Sequence, residues 1–302
     1  MIRAENLRRR FGAVEAVRGV SFEVRAGEIF GLVGPDGAGK TTVMRLAAGL
    51  LDADEGRMEI CGHDVAREPD AVKDVTGYMA QRFGLYHDLT VEENIGFYGE
   101  LFGTAPEERW RLAGGLLEMT GMAEFRKRRT GQLSGGMKQK LALICTLLHR
   151  PRALLLDEPT CGVDPLSRRE FWKILEGLAR EGMAVLVTTA YLDEAERCGR
   201  VGLMYAGRLE ETGTPAEIRN RVAPFCFRAA EPGRAEARRR LHGAPGVLAA
   251  EPAGAALHVY LEDGADAEAV SAATGVRLER IEPALEDAFL ALIRKKEARR
   301  AG

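Results

Sequence analysis

The sequence predicts an α/β fold, a parallel sheet covered by helices on both faces, followed by a smaller α+β unit. Three observations carry this prediction. Apolar strand-like runs alternate with helical patterns from Ala153 to Tyr205, as in a parallel sheet. A short apolar run, Glu28 to Val33, enters a glycine-rich turn and leaves it into a helical repeat of Val43, Met44, Leu46, Ala47 and Leu50. Beyond residue 221 the order becomes strand, helix, strand, strand, helix, strand, which is the βαββαβ order of a ferredoxin-like unit.

Taken in order, Val20 to Val24 alternates apolar and polar residues as a half-buried strand does, and Met58 to Ile60 reads as a short strand. Leu89 to Phe102, Pro106 to Met119 and Ser134 to His149 are helical patterns with no strand between them, so residues of about 85–150 read as an inserted helical subdomain. Strands return at Ala153 to Leu156, Ala184 to Thr189 and Val201 to Tyr205, separated by helices Pro165 to Ala179 and Leu192 to Cys198. A hairpin turns at Ala206-Gly207-Arg208. The C-terminal unit reads as strand Phe225 to Ala229, helix Ala235 to Leu241, strands Val247 to Ala250 and Ala255 to Leu261, helix Ala265 to Ala273 and strand Val276 to Ile281. A last amphipathic helix, Leu285 to Lys296, carries Leu285, Phe289, Leu292 and Ile293 on one face. The expected domains are residues 1–220 and 221–302.

With 46% hydrophobic and 29% charged residues, the chain has the balance of a folded protein rather than a disordered one. A formal charge of −2 gives no reason to expect nucleic acid as a partner. No apolar run approaches the roughly 20 residues that cross a bilayer, and Met1 to Arg10 lacks the apolar core of a signal peptide. The expected location is therefore cytoplasmic. Cys61, Cys145, Cys161, Cys198 and Cys226 have no metal-ligand spacing and read as reduced, mostly buried thiols.

The chemistry is written in three segments. Gly34-Pro35-Asp36-Gly37-Ala38-Gly39-Lys40-Thr41-Thr42 fits the phosphate-loop pattern G-x-x-x-x-G-K-[ST] between a strand and a helix. Bare glycines let backbone N–H groups turn inward onto phosphate oxygens, and the following helix points its positive end at the same anion. Lys40 is expected on the β- and γ-phosphates and the Thr41 hydroxyl on Mg²⁺; the expected nucleotide is ATP. The second segment, Ala153 to Leu156 followed by Asp157 and Glu158, is an apolar strand ending in two carboxylates. Asp157 can complete the magnesium shell and Glu158 can polarise an attacking water. In the third, Leu133-Ser134-Gly135-Gly136-Met137-Lys138-Gln139, a serine and two glycines open a helix, a second anion-accepting N-terminus.

In that order and spacing, the phosphate loop, LSGGMKQ and LLLDEPT resemble the ATP-binding cassette (ABC) family over residues 1 to about 220. The resemblance implies a RecA-like cassette core and two cassettes meeting head to tail. Ser134, Gly135 and Gly136 would then contact the γ-phosphate of ATP held by the partner. Gln81 matches the family's Q-loop glutamine, which senses magnesium and the attacking water, and the segment Arg82 to Thr90 with the inserted helices would meet a membrane permease. Phe11 matches the aromatic that stacks on adenine, and Asp164 the aspartate that couples the two sites of the dimer.

Two positions depart from the pattern. Where the family places a histidine against the γ-phosphate, this chain has Ala190, whose methyl group can neither hydrogen-bond phosphate nor position water. Asp36 stands where asparagine is usual, and its carboxylate would repel phosphate unless it points away. One reading makes this a degenerate site that binds ATP well, hydrolyses it slowly and relies on a second, complete cassette. The other keeps it active through Glu158 and Gln81. Asp36 and Ala190, with the phrases Pro159 to Pro165 and Thr189-Ala190-Tyr191, resemble the first cassette of tandem multidrug-type efflux ATPases and favour the first reading.

The function expected is that of the ATP-binding subunit of an ABC exporter, peripheral on the cytoplasmic face of the plasma membrane. It would couple Mg-ATP binding and hydrolysis to separate permease subunits. A soluble ABC ATPase acting on ribosomes or DNA, or an importer ATPase, is the alternative. The basic runs Arg126 to Arg129, Arg294 to Lys296 and Arg299-Arg300 read as solvated surface, with contact to acidic lipid headgroups the sharper option. The C-terminal unit resembles an accessory domain of exporter ATPases and has no evident catalytic cluster.

Overall fold

The computed structural model describes residues 1–230 and 233–301, with side chains described as far as Glu297, so the side chains of Arg299 and Arg300 lie outside the described residues. It divides into two compact units, Met1–Glu210 and Glu211–Gly302.

The first unit is built on a six-stranded sheet. Its order is Arg208–Gly213, Arg200–Tyr205, Ile29–Val33, Ala184–Thr189, Ala153–Asp157 and Thr76–Met79. From Arg200–Tyr205 to Thr76–Met79 every neighbouring pair is parallel. Ile29–Val33, Ala153–Asp157 and Ala184–Thr189 are buried at every residue, which is why they read as continuous apolar runs rather than alternating ones. Because these strands are parallel, the segments leaving Val33, Met79, Asp157 and Thr189 emerge at one edge of the sheet, where ligands bind in open α/β sheets.

An antiparallel sheet of Val14–Val24, Ile2–Phe11, Glu55–Ile60 and His63–Asp64 completes the core. The helices Val91–Leu101, Pro106–Thr120 and Gly135–Leu147 form the inserted subdomain around Val91, Ile95, Leu117, Leu141 and Ile144. Their ends follow local chemistry. Thr90 and Glu93 close a capping box, Pro106 occupies the first helical turn, and Gly121 ends its helix in the left-handed conformation at φ 68°.

In the second unit the sheet order is Val247–Ala253, Ala256–Leu261, Cys226–Ala229 and Leu278–Arg280, antiparallel throughout. Counted along the chain this is 2-3-1-4, the arrangement of a βαββαβ unit. Helices Arg234–Leu241 and Ala267–Thr274 supply Ala237, Leu241 and Val270 to its core. The division falls at Glu210, earlier than the boundary at residue 220 read from the sequence. The reason is the helix Pro215–Val222, which packs against the C-terminal helix Leu285–Ala301 and so belongs to the second unit.

The sequence reading missed, among others, the strand Ile2–Phe11, the helix Pro69–Val75, the helix Pro215–Val222 and the strand Thr76–Met79. In the first, Asn6 at φ 48° and several register shifts break the alternation, and Arg8-Arg9-Arg10 masks the rest. The last has four residues, one of them Gly77, where a side chain would run into Thr146 and Leu154. Among the described residues no helix is long and apolar enough to cross a membrane.

Candidate functional site

The loop from Gly34 to Gly39 follows the buried strand Ile29–Val33 and opens the helix Lys40–Ala47. Two of its glycines have steric reasons to be glycine. A Cβ on Gly34 would stand 2.1 Å from the Met204 carbonyl oxygen, and one on Gly39, at φ 102°, 2.4 Å from that of Ala16. The loop lines a cavity of about 610 Å³, bounded by residues 36–42 and by Gln81, Glu158, Ala190 and Tyr191, with Ala16 and Cys161 at its margin.

Lys40 is 4% exposed, and its three ammonium protons find three oxygens. Nζ donates to the carbonyls of Gly34 at 2.8 Å and Pro35 at 3.1 Å and lies 3.2 Å from Glu158 Oε1. Gln81 Nε2 donates to Glu158 Oε2 at 3.0 Å. Glu158 itself sits in the left-handed region at φ 48°, which turns the chain sharply after the strand. Its N–H is anchored by the Thr188 hydroxyl at 2.9 Å.

The Thr41 hydroxyl donates to Asp157 Oδ1 at 3.1 Å, and that oxygen, 1% exposed as part of Asp157, also accepts from the Thr188 hydroxyl at 2.7 Å. A hydroxyl and a carboxylate oxygen this close are hard donors of the kind Mg²⁺ takes together with phosphate oxygens and water, so the pair fits a magnesium ion beside a triphosphate. Gln81 Oε1 has no partner among the described residues and adds a third oxygen at the cavity wall. Asp36 is exposed and makes no hydrogen bond among the described residues; Thr42, beyond Thr41, also lines the cavity.

Residues expected at the site from the sequence thus fall into two groups. Asp36 to Thr42, Gln81, Glu158 and Ala190 line one cavity, with Asp157 directly behind Thr41 and Gly34 and Pro35 holding Lys40. Phe11, Ser134, Gly135, Gly136 and Asp164 do not line it. Phe11 ends its strand, 44% exposed, with the Arg9 guanidinium 5.1 Å over its ring. Ser134 caps the helix Gly135–Leu147, accepting from the Met137 N–H at 3.3 Å; Ser134 and Gly135 face solvent, and a Cβ on Gly136 would meet Ser167 at 2.3 Å. Asp164 caps Pro165–Arg180, accepting from the N–H groups of Leu166 and Ser167, bonds that hold its carboxyl below the usual carboxylate range.

The sequence reading passed over Thr188, Thr160, Arg168, Tyr191 and Glu194. Thr188 had a signal: Thr188-Thr189 closes an otherwise apolar strand, and Thr188 pairs in register with Asp157. Glu194 had none. It is 1% exposed and gathers the hydroxyls of Thr160 and of Thr189, the latter at 2.8 Å, and the Arg168 guanidinium at 3.2 Å.

The geometry can bind a polyphosphate, hold a cation between Thr41 and Asp157, and place a carboxylate against a water at its end. Comparison with known proteins points the same way. A family profile described as ABC transporter matches residues 17–161. The probable multidrug ABC transporter ATP-binding protein YbhF of Escherichia coli (strain K12) is 42% identical over 300 residues, 97% of this chain and 52% of YbhF, so the chain spans about half the length of that relative. The daunorubicin resistance ATP-binding protein DrrA2 of Streptomyces coeruleorubidus is 35% identical over 303 residues, 96% of this chain and 94% of DrrA2. Among solved structures, the dimeric bacterial ABC transporter cassette MJ0796 superposes with a TM-score of 0.64 at 26% identity, over 71% of this chain and 98% of that one.

Proposed function

The chain belongs to the ABC transporter family of ATP-binding proteins, and from that premise we propose that it is the ATP-binding subunit of an exporter, binding Mg-ATP in the cavity above Gly34–Thr42 and hydrolysing it slowly. The carrying observation is the convergence of Lys40, Thr41, Gln81 and Glu158, with Asp157 behind Thr41, from three segments on one cavity at one sheet edge. Backbone N–H groups of the loop and Lys40 bind the phosphates. Thr41 and Asp157 would hold magnesium, whose charge would neutralise that of the phosphates. Glu158 accepts a proton from the attacking water as its oxygen bonds to the γ-phosphorus, and ADP leaves with the electron pair of the broken bond. Gln81 orients Glu158. The methyl group of Ala190 contributes no hydrogen bond, which supports slow turnover.

The solvent-facing turn at Ser134 and Gly135, away from its own chain's cavity, supports completion of the site by a second cassette, like the dimer formed by the MJ0796 cassette. A groove of about 750 Å³ between the sheet core and the inserted helices presents Leu50, Phe83, Leu101 and Phe102, an apolar face suited to a membrane permease. The multidrug and daunorubicin-resistance relatives support export over import, and a net charge of −2 offers nothing for ribosomes or DNA. On this reading the protein works at the cytoplasmic membrane face.

The test is the purified chain and its membrane complex. ATP should bind with slow turnover by the chain alone, Ala190→His should raise turnover several-fold, and Glu158→Gln should abolish it with binding kept. Brisk hydrolysis by the isolated wild type would remove the slow-site reading; co-purification with no permease would remove the transport reading.

A further inference from the structure

Resting on the ATP reading above, we propose that Tyr191 supplies the contact from this segment to the terminal phosphate that Ala190 cannot make. Ala190 and Tyr191 are the residues of the segment after Thr189 that line the cavity. Of the two, only Tyr191 carries a hydrogen-bonding side-chain group, and its phenolic oxygen has no partner among the described residues. A phenol can donate to a phosphate oxygen while accepting from water.

The side chain is also held in place, which a stray surface tyrosine is not. The Arg168 guanidinium lies 4.3 Å over its ring. Its backbone N–H donates to the Thr189 hydroxyl at 2.9 Å. That hydroxyl donates in turn to Glu194, the buried carboxylate that also takes the Thr160 hydroxyl and pairs with Arg168. Thr160 follows Glu158 by two residues, and Arg168 stands in the first turn of the helix that Asp164 caps. The backbone of Tyr191 is therefore tied to the loop carrying Glu158, and its ring to the helix after Asp164. Arg168 and Glu194 are positioning residues in this arrangement; Tyr191 touches the substrate.

A hydrogen bond to a charged oxygen corresponds to about a tenfold to hundredfold difference in affinity. Only ATP has the terminal phosphate, so the readout is the ratio of ATP to ADP affinity, which a merely structural role would not move. We would measure displacement of a fluorescent nucleotide by ATP and by ADP, and steady-state hydrolysis, on the full chain. Tyr191→Phe keeps the ring and its guanidinium contact and so keeps the fold. It should weaken ATP at least tenfold, leave ADP unchanged and lower turnover in step, while Ala190→His added to it should restore the preference for ATP. Arg168→Ala should shift the same ratio in the same direction by a smaller factor, with Arg168→Lys recovering part. If Tyr191→Phe matches wild type in the ratio and in turnover while Glu158→Gln abolishes turnover, the assignment to Tyr191 is wrong and the ATP reading stands. If the wild type binds neither nucleotide, both fall together.

Discussion

Replacing Gly39 by alanine tests whether the loop is a phosphate cradle or a turn with a lysine beside it. The new Cβ would stand 2.4 Å from the Ala16 carbonyl oxygen, closer than real Cβ atoms approach, so the loop or the strand must give by more than about half an ångström. Neither is free to do so cheaply. The next residue, Lys40, is buried and bonded to the carbonyls of Gly34 and Pro35, and the Val43 N–H is bonded to Gly39 O at 3.0 Å. A left-handed φ adds about 1–2 kcal/mol for an L-residue, and overpacking a fitted site typically adds about 1–3 kcal/mol, so about 2–5 kcal/mol is at stake. If all of it falls on the bound state, affinity for ATP drops roughly 30-fold to 4000-fold; what falls on folding instead lowers the melting temperature by about 2–4 °C per kcal/mol. Isothermal titration with Mg-ATP and a thermal melt of the same sample read both shares. A Gly39→Ala protein with wild-type affinity and a wild-type melt would refute the steric argument and, with it, the cradle.

Two smaller perturbations follow from other contacts. Thr41→Val removes the hydroxyl that meets Asp157 Oδ1 while keeping the side chain's shape; ATP affinity should fall and become nearly independent of magnesium, and a titration of Mg²⁺ at fixed ATP that still shows wild-type enhancement would contradict the ion's assignment. Glu28 is paired with Arg200 at 2.6 Å; desolvation pushes its pKa upward, but hydrogen bonds from Arg200 and the Arg25 N–H outweigh it and leave the carboxyl below its ordinary value. A depressed carboxylate stabilises the fold above its unfolded pKa, and that contribution disappears as pH falls through the folded value. Glu28→Gln should therefore lower stability by no more than about 1 kcal/mol at pH 7 and converge on wild type as pH falls below the folded value in urea titrations; a deficit unchanged by acid would mean lost packing rather than lost charge.

What was legible in the sequence was what a short window encodes. The glycines of the phosphate loop, the Ser-Gly-Gly helix start and the apolar strand ending in Asp157 each announce themselves within ten residues, because turn and cap chemistry is local. Their convergence is not local. Thr41 meets Asp157 across 116 positions, and Gln81 meets Glu158 across 77, through strands whose parallel pairing sets the register. The motif order made those meetings predictable by resemblance alone. Where resemblance assigned no role, the sequence was silent: an arginine one turn into a helix and a glutamate four residues past Ala190 show no pattern until Glu194 is seen buried among Thr160, Thr189 and Arg168. A carboxylate that far from water is retained only with donors on both oxygens; the Thr160 and Thr189 hydroxyls supply them, from the loop after Glu158 and the strand end before Ala190, and the ion pair with Arg168 comes from the helix after Asp164. The loop after Glu158 and the strand end before Ala190, whose neighbours Cys161, Ala190 and Tyr191 line the cavity, are thus tied with the helix after Asp164 to one buried charge. An alanine at position 190 leaves that frame whole and withholds a single hydrogen-bonding side chain from it, which supports the proposed binding with slow turnover over outright loss of function.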